Sequence, residues 1–373
     1  MTPIDDNVAF QAMVSLLRQS PEKVMLFLLG YGADRFEREI PDLARVSGVP
    51  EGRLRELLAE ARQGDSATSP RVPEQHVVTK ALLARWCDQT KDGPRMGHYS
   101  LEYGPRPPTS PTSVAKLTNF VKFDSQRTEN LWGLTESGLP AALAAADAGT
   151  LFTSPAQVRT IKDAIALHYA RSLDVLDGHD DLWREGLEVA KGRFLEDPEH
   201  LSHVYFLKTG IHLPLTATSA HELIADELVQ RTRDLFSSGV AFRFRVVDLF
   251  NAASVVVAGA GLELLRPQNG SEFVIGDVPV ITTDRSGHHQ GISAGVPIGS
   301  AATVFLPLGP YLGVALGPRD QDVDLGADYV ERLNTWEVQA AHRGVFTRVG
   351  SPLIAWAATI RPPSQGAQSA KSS

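Results

Sequence analysis

Residues Phe273–Ile281 read FVIGDVPVI, in which two short apolar runs flank a glycine, an acid and a proline. Valine, isoleucine and phenylalanine are typical of strands. Gly276 and Pro279 suit a tight turn, and Pro279 favours extended geometry at the residue before it, so the second run can begin at once. Asp277 lies in this turn. Two roles stay open for it: its carboxylate caps N–H groups of the turn, or it is held at a strand end and faces a pocket.

Similar runs on both sides of this stretch predict a β-rich half that begins after about Gly239, because Gly, Pro and Asn separate them. The runs are AFRFRVVDLF (241–250), SVVVAG (254–259), LELLRP (262–267), VPVITT (278–283), ATVFLPL (302–308) and LGVALG (312–317). Helical spacing of apolar residues prevails earlier, in 129–147, 154–176, 180–195 and 221–236. A helix-rich half packed on a mostly antiparallel β-sheet predicts an α+β fold.

The N-terminal segment, residues 1–63, is predicted to be a small helical domain of its own. A polar, proline-bearing stretch at 64–74 is expected to be a linker, and residues 75–346 form the main α+β domain. Residues 347–373 are expected to give a C-terminal strand and a disordered tail. The segment Gly104–Ser113, GPRPPTSPTS, is expected to be an irregular loop because of its prolines.

Composition predicts an ordinary globular protein with a sizeable core. Of 373 residues, 43% are hydrophobic and 21% are charged. The formal net charge of −8 disfavours a general nucleic-acid or anionic-membrane surface, although a local basic groove stays open. The single cysteine, Cys87, is typical of a reducing compartment. No secretory signal is evident, and the early apolar run VMLFLLGYG is too short to cross a bilayer. We therefore expect a soluble, cytoplasmic protein that does not contact membranes.

The N-terminal segment contains LARVSGVPEGRLREL, residues 43–57, whose spacing resembles a helix-turn-helix. Ala44, Gly48 and Leu54 occupy the positions of the small residue, the turn glycine and the inward apolar residue. The second helix is a poor reader of DNA, since its basic residues alternate with acids. This pattern favours a helical bundle or a protein-docking module over DNA recognition.

Signatures of several large enzyme classes are missing from the sequence. It contains no HExxH, GxSxG, GxGxxG or GxxxxGK[ST] motif. A pair of polar residues is a candidate for a functional role. His168 and Arg171 lie three residues apart on an otherwise apolar helix and therefore share one face. A buried cation needs a partner, and Glu136 and Asp277 are the candidates. The pair is either a structural ion pair at the edge of the core or part of a cluster that faces a pocket.

Several segments of the chain, in order, resemble the bacterial and fungal family known as domain of unknown function 4238. They are QHVVTKALLARWC (75–87), ENLWGLTESGLPAAL (129–143), IKDAIALHYARS (161–172), FVIGDVPVI (273–281), VFLPLGPYLGVAL (304–316) and LNTWEVQAAHRGVF (333–346). The resemblance covers residues 75–346. Thr79 replaces a proline common in the family, and Gly276 and Val278 replace a serine and an asparagine. The resemblance implies no reaction, but it places His76 and Glu136 within two of these motifs.

As an enzyme, the protein is predicted to be a hydrolase of a phosphodiester or another anionic substrate, such as a nuclease. The candidate catalytic residues are His76, Glu136, His168, Arg171 and Asp277. Glu136 and Asp277 are also candidate ligands of a divalent cation such as Mg²⁺ or candidate bases. His76 suits a general acid or base, and Arg171 suits charge neutralisation. Nucleic acid stays open as the substrate.

The alternative hypothesis is a non-catalytic binding or regulatory protein. In this case the N-terminal helices engage a protein partner, and the polar cluster locks the structure. A cavity open to solvent around Asp277 favours the enzyme, and a dry, fully paired cluster favours the lock.

Overall fold

The computed structural model describes residues 13–14, 17–18, 33–64, 72, 74–122, 125–209, 218–237, 239–284 and 296–363. The chain divides into two compact units. The first comprises Met1–Arg71, Val121–Gln126 and His179–Arg245, and the second comprises Val72–Phe120, Arg127–Gly178 and Val246–Ser373. The first division, between Arg71 and Val72, falls within the stretch expected to be a linker, most of which lies outside the described residues.

Two helices of the first unit form a helix–turn–helix arrangement. Helix α1 (Ala33–Ser47) and helix α2 (Glu51–Gly64) are joined at Gly48, whose φ of +82° is a conformation that glycine adopts without strain. The backbone N–H of Gly48 donates to the Ala44 carbonyl at 2.9 Å and ends α1. The two helices bury a common apolar core that includes Phe36, Ile40, Leu43, Leu54 and Leu57.

Further helices occur between and after the strands along the sequence. They are α3 (Lys80–Leu83), α4 (Ser125–Asp147), α5 (Pro155–Ala170), α6 (Leu173–Glu196), α7 (Pro198–Thr209), α8 (Thr218–Ser237), α9 (Val240–Gly259), α10 (Ala327–Ala340) and α11 (Leu353–Ile360). Ser154 caps α5 as its sequence predicts, with Pro155 at the first position and the hydroxyl accepting from the Gln157 N–H. No helix in the described ranges combines the length and the apolar character needed to cross a membrane.

The strands of the second unit form a two-stranded ribbon and two five-stranded sheets. They are β1 (Glu74–His76), β2 (Asp88–Thr90), β3 (Gly93–Ser100), β4 (Gly104–Thr109), β5 (Lys116–Thr118), β6 (Gly261–Pro267), β7 (Ile275–Gly276), β8 (Ile281–Thr283), β9 (Thr303–Gly309), β10 (Leu312–Gly317), β11 (Gln321–Leu325) and β12 (Gly344–Thr347). The ribbon is β1–β5, one sheet has the order β11-β6-β10-β9-β8, and the other has β2-β3-β12-β7 with β4 on β3. Among these pairings only β6–β11 is parallel. The predicted α+β fold is confirmed.

The runs AFRFRVVDLF and SVVVAG are helical, not strands: both lie in α9. Their β-branched and aromatic residues favour strands, but Val246, Phe250, Ala253 and Val257 recur at helical spacing and all four are buried. Apolar residues on several faces hide this period in the sequence. Tertiary burial therefore outweighs the local preference for strands.

The proline-bearing segment after Gly104 is not wholly irregular. Gly104–Thr109 forms β4, whose one strand neighbour among the described residues is β3. Prolines are tolerated in an edge strand because one side of it makes no ladder hydrogen bonds. This strand places Arg106 opposite His98 of β3.

The segment 347–373 also differs from its expected strand. Within residues 347–363, which the structure describes, only Thr347 belongs to a strand, and Leu353–Ile360 forms α11, which packs on β3, β4 and β12. Residues 364–373, expected to be disordered, lie outside the described residues.

Candidate functional site

Asp277 follows directly after β7, at the strand end that the sequence predicted. Its side chain is 2% exposed. One carboxylate oxygen accepts the backbone N–H of His342 and the other accepts that of Arg343, each at 2.8 Å. Its own N–H donates to the Gly344 carbonyl at 3.2 Å. Asp277 therefore fastens the turn after β7 to the link between α10 and β12.

Side chains of α10 complete the hydrogen bonding of the same segment. Asn334 accepts the Val274 N–H at 2.9 Å, and Glu337 accepts the Gly276 N–H at 2.9 Å. Burial raises the pKa of Glu337 well above its usual value. A Cβ on Gly276 would lie 3.1 Å from the Glu337 carbonyl oxygen, which explains why glycine fits here.

His342 connects this link to the start of α6. Its Nε2 lies 2.6 Å from Asp174 Oδ1, and its Nδ1 lies 3.2 Å from Asp177 Oδ2. The hydrogen bond to Asp174 raises the pKa of His342 above its usual value, and the charges of Asp174, Asp277 and Asp177 act in the same direction. The charged imidazolium, which has two N–H donors, fits both contacts.

A cavity of about 360 Å³ opens beside Asp277, and we call it the Asp277 cavity. Its wall carries the cationic side chains of Arg106, Lys116 and Arg343. Lys116 pairs with Glu74 at 2.7 Å, whereas Arg106 and Arg343 have no carboxylate partner among the described residues. Among the described residues that line it, Asp277 is the only one with a carboxylate, and both of its oxygens already accept N–H groups. The cavity is thus locally cationic within a chain of net charge −8.

Aromatic rings form another part of this wall. His98, Tyr103 and Phe346 line the cavity, and the His98 and Phe346 rings lie 5.2 Å apart. Burial lowers the pKa of His98, and the nearby charge of Arg106 lowers it further. His98 is therefore neutral at pH 7 and has a ring nitrogen that can accept a proton.

The other predicted site residues gather around Arg171. Its guanidinium is 1% exposed, donates to Glu136 at 2.9 Å and lies over the Trp132 ring at 4.9 Å. Burial, followed by the charges of Lys80, Lys116 and Arg171, lowers the pKa of His76 to about 4. The predicted pairing of Arg171 with Glu136 is thus present.

His168 is fully buried, and each of its ring nitrogens has a backbone partner. Nε2 accepts the Thr79 N–H at 3.2 Å, and Nδ1 donates to the Ala164 carbonyl at 2.7 Å. Burial and then the charge of Arg171 lower the pKa of His168 to about 3. The ring is a neutral cross-link from α5 to the residue before α3, and neither nitrogen is available to a substrate.

The five predicted residues therefore fall into two places. His76, Glu136 and His168 surround Arg171, while Asp277 bonds the backbone of 342–343 and has no direct bond to Arg171 or His76 in the described structure. In the ranges that the structure describes, no three His, Cys, Asp or Glu side chains form a group that could hold a metal ion. Glu136 and Asp277, the candidate Mg²⁺ ligands, are engaged by Arg171 and by backbone N–H groups respectively.

Some of the buried polar atoms that lack a protein partner among the described residues belong to Arg171 and to residues in or next to its group. Within the described ranges, no residue hydrogen-bonds His76 Nε2, Thr79 Oγ1, Thr128 Oγ1, Trp132 Nε1 or Arg171 Nε. Thr128, Trp132 and Glu136 follow one another at intervals of four on α4, so they line the helix face that Arg171 contacts. Such atoms in native proteins are satisfied by ordered water or a bound group, or they cost stability.

Comparison with known proteins places these residues in a family. The family described as "Protein of unknown function (DUF4238)" matches residues 74–351. The chain belongs to the DUF4238 family. The match includes β1, the Arg171 group, Asp277 and the lining of the Asp277 cavity. It confirms the family that the ordered motifs indicated.

Two curated viral proteins are similar to part of this DUF4238 chain. The ORFB polyprotein of Cryphonectria hypovirus 1 strain EP713 is 28% identical over 159 residues, which are 42% of this chain and 5% of the polyprotein. The ORFB polyprotein of strain Euro7 is 28% identical over 193 residues, 51% of this chain and 6% of the polyprotein. The chain thus spans only a small part of these relatives. No solved structure matches it.

Apart from Asp277, sequence reasoning on this DUF4238 chain missed the polar residues that line the cavity. His98, Arg106, Lys116 and Arg343 come from four strands or links and share no spacing that a sequence pattern could show. His342 and Glu337 carried a weak signal, since both lie in the motif LNTWEVQAAHRGVF.

Thr128→Val tests whether the hydroxyl of Thr128 lacks a partner. We expect the free energy of unfolding to stay the same or to rise by up to about 1 kcal/mol, because the change deletes a buried polar group that makes no hydrogen bond. Thr282→Val is the matched control: Thr282 is equally buried, and its hydroxyl donates to the Val296 carbonyl at 2.7 Å. The control is expected to lose about 1–2 kcal/mol. Equal losses, measured by urea denaturation, would show that Thr128 also holds a partner, such as an ordered water.

Proposed function

We propose that this chain binds a small anionic ligand in the Asp277 cavity. One observation carries the proposal: Arg106 and Arg343 line the cavity with exposed side chains that form no salt bridge in the described structure, and each oxygen of the Asp277 carboxylate already accepts a backbone N–H. Unpaired guanidinium groups at a concave surface attract phosphate, sulfate and carboxylate groups, which they bind through paired N–H donors.

The size and lining of the cavity narrow the class of ligand. A volume of about 360 Å³ lies near the lower end of the roughly 300–1,000 Å³ typical of small-molecule sites. His98 and Tyr103 place rings beside the cavity, with the Arg106 guanidinium over the Tyr103 ring at 5.5 Å, and Phe346 is buried behind them at 2% exposure. A compact molecule that carries a phosphate or carboxylate group, with or without one ring, suits both features.

Hydrolysis of an anionic ester, including a phosphodiester of nucleic acid, is a second candidate function. A neutral His98 favours it, because a histidine with a lowered pKa can act as a general base at pH 7. Arg106 and Arg343 would offset charge that develops on the substrate. The Arg171 group would then support the fold, as the alternative of a structural lock predicts.

Residues 1–63 remain the proposed site for a protein partner. On α1 and α2, Arg45 pairs with Asp42 at 2.8 Å and Arg53 pairs with Glu56 at 3.0 Å. Internal pairing of this kind leaves no uniformly basic face, which disfavours nucleic acid as the partner of these helices. The cytoplasm remains the proposed location, supported by the single cysteine.

Titration calorimetry with sulfate and with pyrophosphate tests binding in the Asp277 cavity. We expect Arg343→Gln to weaken the affinity for both anions by about tenfold or more, the loss that corresponds to one charged hydrogen bond. Arg332→Gln is the control, since Arg332 is exposed on α10, does not line the cavity and changes the net charge equally. Equal affinities of the two variants, or no binding by the unsubstituted protein, would contradict the proposal.

Turnover of bis(4-nitrophenyl) phosphate separates hydrolysis from binding alone. If His98 is a general base, hydrolysis is expected in the unsubstituted protein and its rate should fall by roughly 100-fold in His98→Gln, at the lower end of the usual contribution of acid–base catalysis. If the protein binds anions but does not hydrolyse the ester, the proposed binding function stands and the proposed catalytic function is contradicted.

A further inference from the structure

We propose that His342 is a positioning residue of the anion site: it anchors the link 341–343, which holds Asp277 through its backbone and contributes Arg343 to the cavity wall. This inference rests on the proposed function of the Asp277 cavity. It adds a residue that lies outside the cavity lining and acts through its neighbours.

Residues 342 and 343 attach the link to two different parts of the fold. The backbone N–H groups of His342 and Arg343 donate to the two oxygens of Asp277, each at 2.8 Å. The ring of His342 contacts Asp174 and Asp177 at the start of α6, at 2.6 and 3.2 Å. The backbone thus holds the turn after β7, and the ring holds a helix.

Residues at or next to both of these attachment points line the cavity. Leu173, which precedes Asp174, lines the cavity, as do Asp277 and Arg343. Asp174 is 3% exposed and also accepts from the Ser172 hydroxyl at 3.3 Å, so its position is fixed. Release of the imidazole would remove one of the contacts that position the link and would leave a buried carboxylate with one fewer partner, while residue 343 keeps its backbone bonds to Asp277 and to the Leu101 N–H.

The charged groups that face His342 favour its protonated form. They are Asp174 and Asp177 from α6 and Asp277 from the turn after β7, against the neighbouring cation Arg343. Loss of the proton removes one of the two N–H donors, so one aspartate contact must break. The pKa of His342 is raised above 6.5. Its contribution to the anchored state is therefore complete below about pH 6.5 and is lost as the pH rises through the raised pKa.

Sulfate is a suitable probe for the test because its charge is constant between pH 6 and 9. Calorimetric titration of the unsubstituted protein is expected to show an affinity for sulfate that falls by about three- to tenfold across this range. His342→Gln is expected to bind weakly at pH 6 and to lose most of the pH dependence. His203→Gln, at an exposed histidine of α7, is the control and should keep the unsubstituted profile.

Two failures are distinguishable in this experiment. No sulfate binding by the unsubstituted protein at any pH would overturn the proposed function, and the positioning role with it. Sulfate binding with the same affinity and pH profile in His342→Gln would overturn the positioning role alone. If His342→Gln does not fold, a flat pH profile of the unsubstituted protein would still contradict the proposal.

Discussion

Asp277→Asn is expected to lower the free energy of unfolding by about 1–3 kcal/mol. Both oxygens of Asp277 accept backbone N–H groups at 2.8 Å, and the side chain is 2% exposed. An asparagine can offer only one acceptor oxygen, so its NH₂ group would face the N–H of His342 or of Arg343. One buried hydrogen bond is lost, and two donors are forced against each other.

Urea denaturation, monitored by circular dichroism, measures this difference. Asp92→Asn is the control, because Asp92 is exposed and no described residue pairs with its carboxylate; a change within about 0.5 kcal/mol is expected there. Unchanged or higher stability of Asp277→Asn would contradict the account of a lock. It would instead fit a catalytic carboxylate that is held at a cost to stability.

Arg171→Met is expected to lower the free energy of unfolding by roughly 2–4 kcal/mol. This loss is similar to, or slightly smaller than, the loss usually caused by removing one partner of a buried ion pair. The guanidinium is 1% exposed, whereas Glu136 is 33% exposed, so water can partly compensate the carboxylate left behind. The change also removes the stacking of the guanidinium on Trp132 at 4.9 Å.

Arg332→Met is a matched control for the loss of stacking. Arg332 lies over the Tyr329 ring at 5.3 Å, but this pair is exposed. A change of about 0.5 kcal/mol or less is expected in the same denaturation experiment. Similar small changes in both variants would show that the Arg171 group does not stabilise the fold.

Local chemistry in FVIGDVPVI predicts the turn and the place of Asp277 at a strand end. Glycine, aspartate and proline act through their own backbone preferences, which do not depend on distant residues. The role of Asp277 could not be chosen in the same way, because its donors at His342 and Arg343 lie 65 and 66 residues away. Each of the two roles left open is present in part: the carboxylate accepts N–H groups, but both donors lie outside the turn, and Asp277 also lines a cavity.

The need of Arg171 for a carboxylate partner was predictable, because a cation on an apolar helix face must be paired, but the sequence left Glu136 and Asp277 both open, and the structure pairs Arg171 with Glu136. Helix α9 was not predictable, since its β-branched residues favour strands and its buried period is hidden by apolar residues on other faces. The Asp277 cavity could not be predicted from the sequence either. Arg106 lies in a proline-bearing edge strand, and only the pairing of β3 with β4 and with β12 brings that segment near Arg343.

The central claim, that the Asp277 cavity binds a small anion, is tested most directly by a crystal structure grown with selenate, an analogue of sulfate whose anomalous scattering locates it. The account predicts selenate in the cavity, with its oxygens within hydrogen-bonding distance of the guanidinium of Arg343 and of Arg106 or Lys116. An empty cavity at a saturating concentration, or selenate only at other surface sites, would contradict it.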